Sequence, residues 1–221
     1  MGNSIELKAS DGHTLGAYTA GPASAARGLV VIQEIFGVNH HMRNVCDRFA
    51  ADGYVVVAPA LFDRVEPGIQ LGYTQDDIAR GREYRGKLTD AGIIADVEAA
   101  AAHLSGKPIA IVGYCFGGAV AWWGATRTTR FKAASCWYGG GIAATRTETP
   151  HCPVQMHFGE KDASIPLSDV EAIRAAQPGV EIFIYPGAQH GFGCDERASF
   201  SKIDADRAQS RTLAFFDQHL K

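Results

Sequence analysis

Gly113-Tyr114-Cys115-Phe116-Gly117 sets a thiol between glycines, where the strand-forming run "IAIVGY" gives way to "FGGAVAWW". A strand turning sharply into a helix strains its central residue, and flanking side chains larger than hydrogen would collide with neighbouring backbone. Gly113, Gly117 and Gly118 remove those obstacles. The bend would lift the sulfur out at a helix N-terminus, where free N–H groups and the helix dipole favour the attacking thiolate. The competing reading makes Cys115 a small buried apolar residue, as free cysteines usually are. Asp162 in "GEKDAS" and His190 in "GAQHGF" weigh against that, because each follows an apolar strand-like run. A nucleophile, a histidine base and a carboxylate that orients the base form a working set for covalent hydrolysis. Taken singly, Asp162 reads as a turn aspartate and His190 as a loop residue.

Glu34, in "VIQEIFGVN", directly follows another apolar run, where a charge has little structural reason to be. Buried without a partner it would be costly or would become protonated; the bland alternative is a surface glutamate. Beside the elbow it would hold or remove the thiol proton. The N–H groups of Ile35 and Phe116 would then form an oxyanion hole.

These side chains need a scaffold that brings strand ends together. "SIELKAS" and "TLGAYTA" predict two strands joined by a turn at Asp11-Gly12. "LVVIQ", "YVVVAP", "PIAIVGYC", "KAASCWYG", "PVQMHFG" and "VEIFIYPG" read as strands buried on both faces, most of them separated by helical patterns. Met42, Val45, Cys46 and Phe49 share one helical face, with Asn39 as N-cap and Gly53 as stop, so Cys46 is core filler. "NHH" at 39–41 is expected to open a solvated helix rather than to bind zinc. This alternation predicts one α/β domain over residues 1–221: a mostly parallel central sheet with helices on both faces and an antiparallel hairpin at one edge. Ligands in such sheets bind beyond the carboxyl ends of the strands, the rim that carries Glu34, Cys115, Asp162 and His190.

The order nucleophile, acid, histidine is that of the α/β-hydrolase fold. The segments "VIQEIFGVN", "VGYCFGGA", "FGEKDASIP" and "GAQHGF" together resemble the signature segments of the dienelactone hydrolase (carboxymethylenebutenolidase) family over nearly the whole chain. The resemblance implies hydrolysis of the enol-lactone ring of dienelactone to maleylacetate, a step in aromatic-compound degradation, with no cofactor. It also implies a triad of Cys115, Asp162 and His190, and a glutamate, Glu34, that takes the thiol proton. The family holds the substrate carboxylate with an arginine and a tyrosine, which "TQDDIARGREYRG" offers as Arg80 and Tyr84 on a helix capped by Thr74. Arg80 as one solvated arginine among several is the bland reading. The family's second arginine is absent, its position being Cys194, and Arg197 is close enough in sequence to substitute. Tyr138 matches a tyrosine near the family's site; it either lines the pocket or is an ordinary aromatic at a strand end.

Composition agrees with a small-molecule enzyme. The 221 residues are 46% hydrophobic and 20% charged with a formal net charge of -3. They provide no basic field for nucleic acid and no apolar run long enough for a membrane helix. Five cysteines at irregular spacing suit a reducing compartment. The polar start lacks a secretory pattern, and the cytoplasm is the expected location. No Cys/His cluster at metal-ligand spacing appears, and Cys136 and Cys152 read as structural. Cys194 is the uncertain thiol, since it would face the same cleft as His190. The expected partner is a small anionic lactone or ester, and a monomer is slightly favoured. The rival readings are another carboxylester or thioester hydrolase, a non-catalytic ligand-binding protein, and a redox-responsive thiol protein.

Overall fold

The computed structural model describes residues 2–221. Its strands are β1 (Asn3–Lys8), β2 (Thr14–Ala20), β3 (Arg27–Ile32), β4 (Tyr54–Pro59), β5 (Ile109–Tyr114), β6 (Ala133–Trp137), β7 (Val154–Gly159) and β8 (Glu181–Tyr185). They form one eight-stranded sheet in the order β1-β2-β4-β3-β5-β6-β7-β8. The β1–β2 and β2–β4 pairs are antiparallel and the rest parallel, so the opening hairpin is the antiparallel edge that the sequence predicts. Gly12 adopts φ 88° in its turn, a conformation open to a residue without Cβ. β4 to β7 are buried throughout, as strands covered by helices on both faces must be. β8 departs from expectation. It is an edge strand, its middle residues are only half-buried, and the Arg211 guanidinium lies 4.0 Å from the centre of the Phe183 ring.

Among the described residues there are six α-helices, five between strands and the last after β8: α1 (His40–Ala51), α2 (Gln75–Lys87), α3 (Asp90–His103), α4 (Phe116–Arg127), α5 (Leu167–Ala176) and α6 (Lys202–His219). In α1, Met42, Val45, Cys46 and Phe49 are buried, and the Asn39 side chain accepts from the Met42 N–H, which fixes the start of the helix. His41 is buried too, contrary to the expectation of a solvated helix opening; its Nδ1 is 2.7 Å from Asp195 Oδ1. α2 begins at a capping box of Thr74 and Asp77.

Two close approaches position the site. A Cβ on Gly113 would lie 1.9 Å from the Gly117 carbonyl oxygen, so the end of β5 and the start of α4 touch backbone to backbone. A Cβ on Gly81 would lie 2.1 Å from the Ile35 carbonyl oxygen, so α2 presses on the loop after β3. Neither contact leaves room for a side chain, and no rotamer relieves a clash with backbone.

Gly113→Ala is therefore expected to lose about 1–3 kcal/mol of stability, read as a fall of several degrees in Tm by calorimetry. Gly86→Ala, in α2 with nothing within 4 Å of the added Cβ, should be neutral or gain up to about 1 kcal/mol from helix propensity. Equal Tm values for Gly113→Ala and wild type would refute the close-contact account.

Candidate active site

β5 delivers Cys115 into the bend. The residue has φ 56° and ψ -119°, one of two non-glycine residues with positive φ among the described residues. Its N–H donates to the Trp137 carbonyl at 3.0 Å, and its carbonyl accepts from the Gly118 N–H at 2.9 Å, so the strain is held from both sides. The sulfur faces a cleft of about 320 Å³ bordered by Ile35, Phe116, Arg82, Arg85, His190 and Arg197.

His190 Nε2 lies 3.1 Å from Cys115 Sγ, and its Nδ1 lies 2.7 Å from Asp162 Oδ2. The loop after β7 holds Asp162 in turn: its Oδ1 accepts from the Ser164 N–H at 2.8 Å and the Ile165 N–H at 3.2 Å. Burial alone would push the imidazole down, but its bonds to Asp162 and Cys115 outweigh that and raise it to about 10. An imidazole so placed can receive the thiol proton and remain charged beside the carboxylate. The three residues picked from sequence therefore converge, although they lie 75 and 28 positions apart in bonded pairs.

Glu34 is fully buried, and neither carboxylate oxygen has a hydrogen-bond partner among the described residues. Burial raises its carboxyl above the usual range, while the charges of His41, Arg197 and His190 pull it down. No hydrogen bond joins it to Cys115; the sulfur's partner is His190. The expected proton acceptor is thus a neighbour of the triad rather than the atom bonded to the thiol. Ile35 and Phe116 both border the cleft beside the sulfur, and Phe116 opens α4, where the first N–H groups have no intrahelical acceptor.

The carboxylate-binding pair requires correction. Arg80 and Tyr84 do share a face of α2, but that face turns away from the cleft. Tyr84 is buried, its ring stacks on Phe62 at 5.5 Å and its hydroxyl donates to Glu66 at 2.5 Å. Exposed Arg80 reaches only the Tyr84 hydroxyl, at 3.5 Å. The opposite face, Ile78, Arg82 and Arg85, borders the cleft, because Gly81 between them is the contact with Ile35. A sequence signal did exist: Ile78 is the one aliphatic residue larger than alanine in the helix, and Arg82 and Arg85 follow it at i+4 and i+7. Arg197 does reach the cleft, with one guanidinium nitrogen 3.9 Å from Glu34 Oε1. Tyr138 does not line it. The residue is fully buried behind His190, ring edge to ring face at 5.3 Å, with φ 36°.

Cys46 and Cys136 are fully buried, as structural thiols should be, and Cys152 is partly so. Cys194 is fully buried and does not border the cleft; burial and the neighbouring Glu34 charge push its thiol up to about 12. It stands with Glu34 and His41 in a cluster whose potential ligand atoms all lie within 4.8 Å of one another. Linear spacing does not reveal this cluster: Glu34 and His41 share the connection from β3 into α1, but Cys194 comes from the loop after β8.

Among the described residues no helix is long and apolar enough to cross a membrane. The family model described as "Dienelactone hydrolase family" matches residues 15–220. A Synechocystis protein described as "Putative carboxymethylenebutenolidase" is 38% identical over 213 residues, covering 87% of this chain and 86% of its own. An Azospirillum brasilense protein of the same description is 36% identical, with 98% of each chain covered. The crystal structure of a protein described as "Putative Dienelactone Hydrolase" from Klebsiella pneumoniae superposes with a TM-score of 0.85 at 33% identity, over 99% of each chain.

The raised histidine generates a pH prediction. A group whose folded pKa lies above its unfolded value contributes stability that is full below the unfolded pKa and is lost as pH rises through the folded one. For His190 that window runs from 6.5 to about 10. The stability difference between wild type and His190→Gln, from urea unfolding at several pH values, should shrink across this window. A difference that stays constant or grows would mean that His190 is not held as imidazolium.

Proposed function

The chain belongs to the dienelactone hydrolase family and is a carboxylic ester hydrolase, and from that premise we propose that it opens the enol-lactone ring of dienelactone to maleylacetate through an acyl-enzyme on Cys115. One observation carries the reading: the unbroken chain from Cys115 Sγ to His190 at 3.1 Å and from His190 to Asp162 at 2.7 Å.

The Cys115 thiolate attacks the lactone carbonyl carbon while His190 holds the proton and Asp162 steadies the imidazolium. The Ile35 and Phe116 N–H groups receive the oxyanion. Collapse of the tetrahedral intermediate breaks the ring C–O bond, and the departing enolate takes the proton held by His190, which leaves a neutral imidazole as the thioester forms. Water, deprotonated by His190, then attacks the thioester, and the thiolate leaves. Glu34, whose charge acts on His190 and Arg197, serves as the alternative proton acceptor when substrate displaces the resting arrangement. Arg82, Arg85 and Arg197, not Arg80, are the cations that face the cleft, and they suit a substrate carrying a carboxylate. The substrate is then a small anionic lactone, with neutral esters as slower alternatives.

Cys115→Ala should abolish release of maleylacetate from dienelactone while leaving the fold intact by circular dichroism. Iodoacetamide should inactivate the wild type in step with alkylation of Cys115 by mass spectrometry. Activity surviving complete modification at that residue would end the nucleophile assignment.

Arg197→Ala and Arg82→Ala should each lower kcat/KM on the anionic lactone by about tenfold to a hundredfold, the loss of about 1.5–3 kcal/mol from a hydrogen bond to a charged group. A neutral aryl acetate, having no carboxylate to hold, should turn over nearly as before. Arg80→Ala should leave both substrates unaffected. Equal losses on charged and neutral substrates would mean that the arginines shape the cleft rather than bind the anion.

A further inference from the structure

Behind the cleft wall, three side chains of metal-binding type meet. Glu34, His41 and Cys194 are all fully buried, and their ligand atoms lie within 4.8 Å of one another. Both Glu34 oxygens and His41 Nε2 have no hydrogen-bond partner among the described residues. Buried polar atoms are normally paired, and three unpaired ones converging on one point call for a ligand. The other nitrogen of His41 is fixed: Nδ1 lies 2.7 Å from Asp195 Oδ1, while Asp195 Oδ2 accepts from Arg48 at 3.2 Å. A carboxylate on the far nitrogen is the usual outer partner of a metal-bound histidine, setting the tautomer so that Nε2 presents a lone pair.

We propose that Glu34, His41 and Cys194 form a zinc site distinct from the Cys115–His190–Asp162 triad. A thiolate, an imidazole and a carboxylate are a zinc donor set, and three protein ligands leave the fourth tetrahedral position to water. Bond lengths of about 2.0–2.3 Å at tetrahedral angles set ligand atoms about 3.3–3.8 Å apart. The cluster must contract by about an ångström from its widest separation, a movement in which Glu34 exchanges its 3.9 Å approach to Arg197 for the ion. The thiolate and carboxylate together cancel the charge of the ion, and the thiol proton leaves to solvent. Arg197, which borders the cleft, stands 3.9 Å from Glu34 Oε1, so one side chain separates the cluster from the cleft, and entry of the ion requires that side chain to swing aside. Magnesium and calcium, which demand oxygen ligands, should not compete.

The test uses reduced, metal-stripped full-length protein titrated with Co²⁺ and followed by absorbance. One equivalent should produce thiolate-to-cobalt charge transfer in the near ultraviolet and the visible bands of a four-coordinate ion. Zn²⁺ should discharge these bands, and Mg²⁺ should not. Cys115→Ser should bind as wild type does, and Cys194→Ser should lose the charge-transfer band. Asp195→Asn, at a partly exposed position, tests the site without disturbing the buried cluster and should weaken Co²⁺ binding about tenfold to a hundredfold. Three results would each overturn the site: no charge-transfer band in wild type at millimolar Co²⁺; a band lost in Cys115→Ser, which puts the metal on the elbow thiol; or unchanged affinity in Asp195→Asn. Circular dichroism of every variant separates lost binding from lost folding.

Discussion

The backbone contact between the end of β5 and the start of α4 is the constraint on which the rest depends. With 1.9 Å between a Gly113 Cβ and the Gly117 carbonyl, the chain can bend here only where side chains are missing. The bend holds Cys115 at positive φ, a conformation costing about 1–3 kcal/mol that the surrounding hydrogen bonds must impose. In return the sulfur stands at the first turn of α4, beside N–H groups that helix geometry leaves free. β7 and β8 then fix where Asp162 and His190 can stand, because parallel neighbours bring their carboxyl ends to the same rim. A register error in the sheet would separate the triad before it altered any one residue of it.

Much of this was legible in the sequence because it rests on local rules. Glycines at the elbow, the Asn39 and Thr74 caps, the apolar face of α1 and the order of nucleophile, acid and base each leave a trace within a few residues. The azimuth of α2 was read wrongly for a physical reason. The i, i+4 spacing of Arg80 and Tyr84 shows that they share a face, not which way the face points. Tertiary contact decides that: Gly81 seats on Ile35, which sets Arg82 and Arg85 at the border of the cleft and leaves Tyr84 to pack on Phe62. β8 misled for a related reason, since an apolar run does not reveal that its strand lies at a sheet edge. His41 and Asp195, 154 residues apart, could not be paired by any local rule.

The charge of the whole chain and the charge of its cleft point in opposite directions. The formal net charge is -3, yet three guanidinium groups border the cavity that holds the thiol. Within a concave site the local cations set the field, since screening removes distant surface charges over about 8 Å at physiological ionic strength. A thiol nucleophile also limits which substrates can react. Thiolate is a better leaving group than alkoxide, so a tetrahedral intermediate from an ordinary alkyl ester tends to expel sulfur and return to reactants. An enol ester reverses that preference, because its leaving oxygen departs as a stabilised enolate. In the proposed reaction a cysteine elbow and an arginine-lined cleft would thus favour the same substrate on independent grounds, the first through the leaving group and the second through the carboxylate.

Glu34 is where stability and function diverge most clearly. A buried carboxyl with no hydrogen-bond partner among the described residues either loses its charge or costs several kcal/mol to keep it. Replacement by an apolar residue would remove that cost, so its position needs an explanation outside the packing of the core. Its surroundings supply one: His190 and Arg197 on the cleft side, His41 and Cys194 on the other. A carboxylate held by one strong partner would be committed to that partner, whereas one held by none can answer whichever positive charge arrives. In the hydrolase reading that charge is a proton released beside Cys115, and in the zinc reading it is the ion itself. The two compete for the same oxygens, so a metal bound behind the cleft would leave the triad's geometry intact while taking away the proton acceptor beside it.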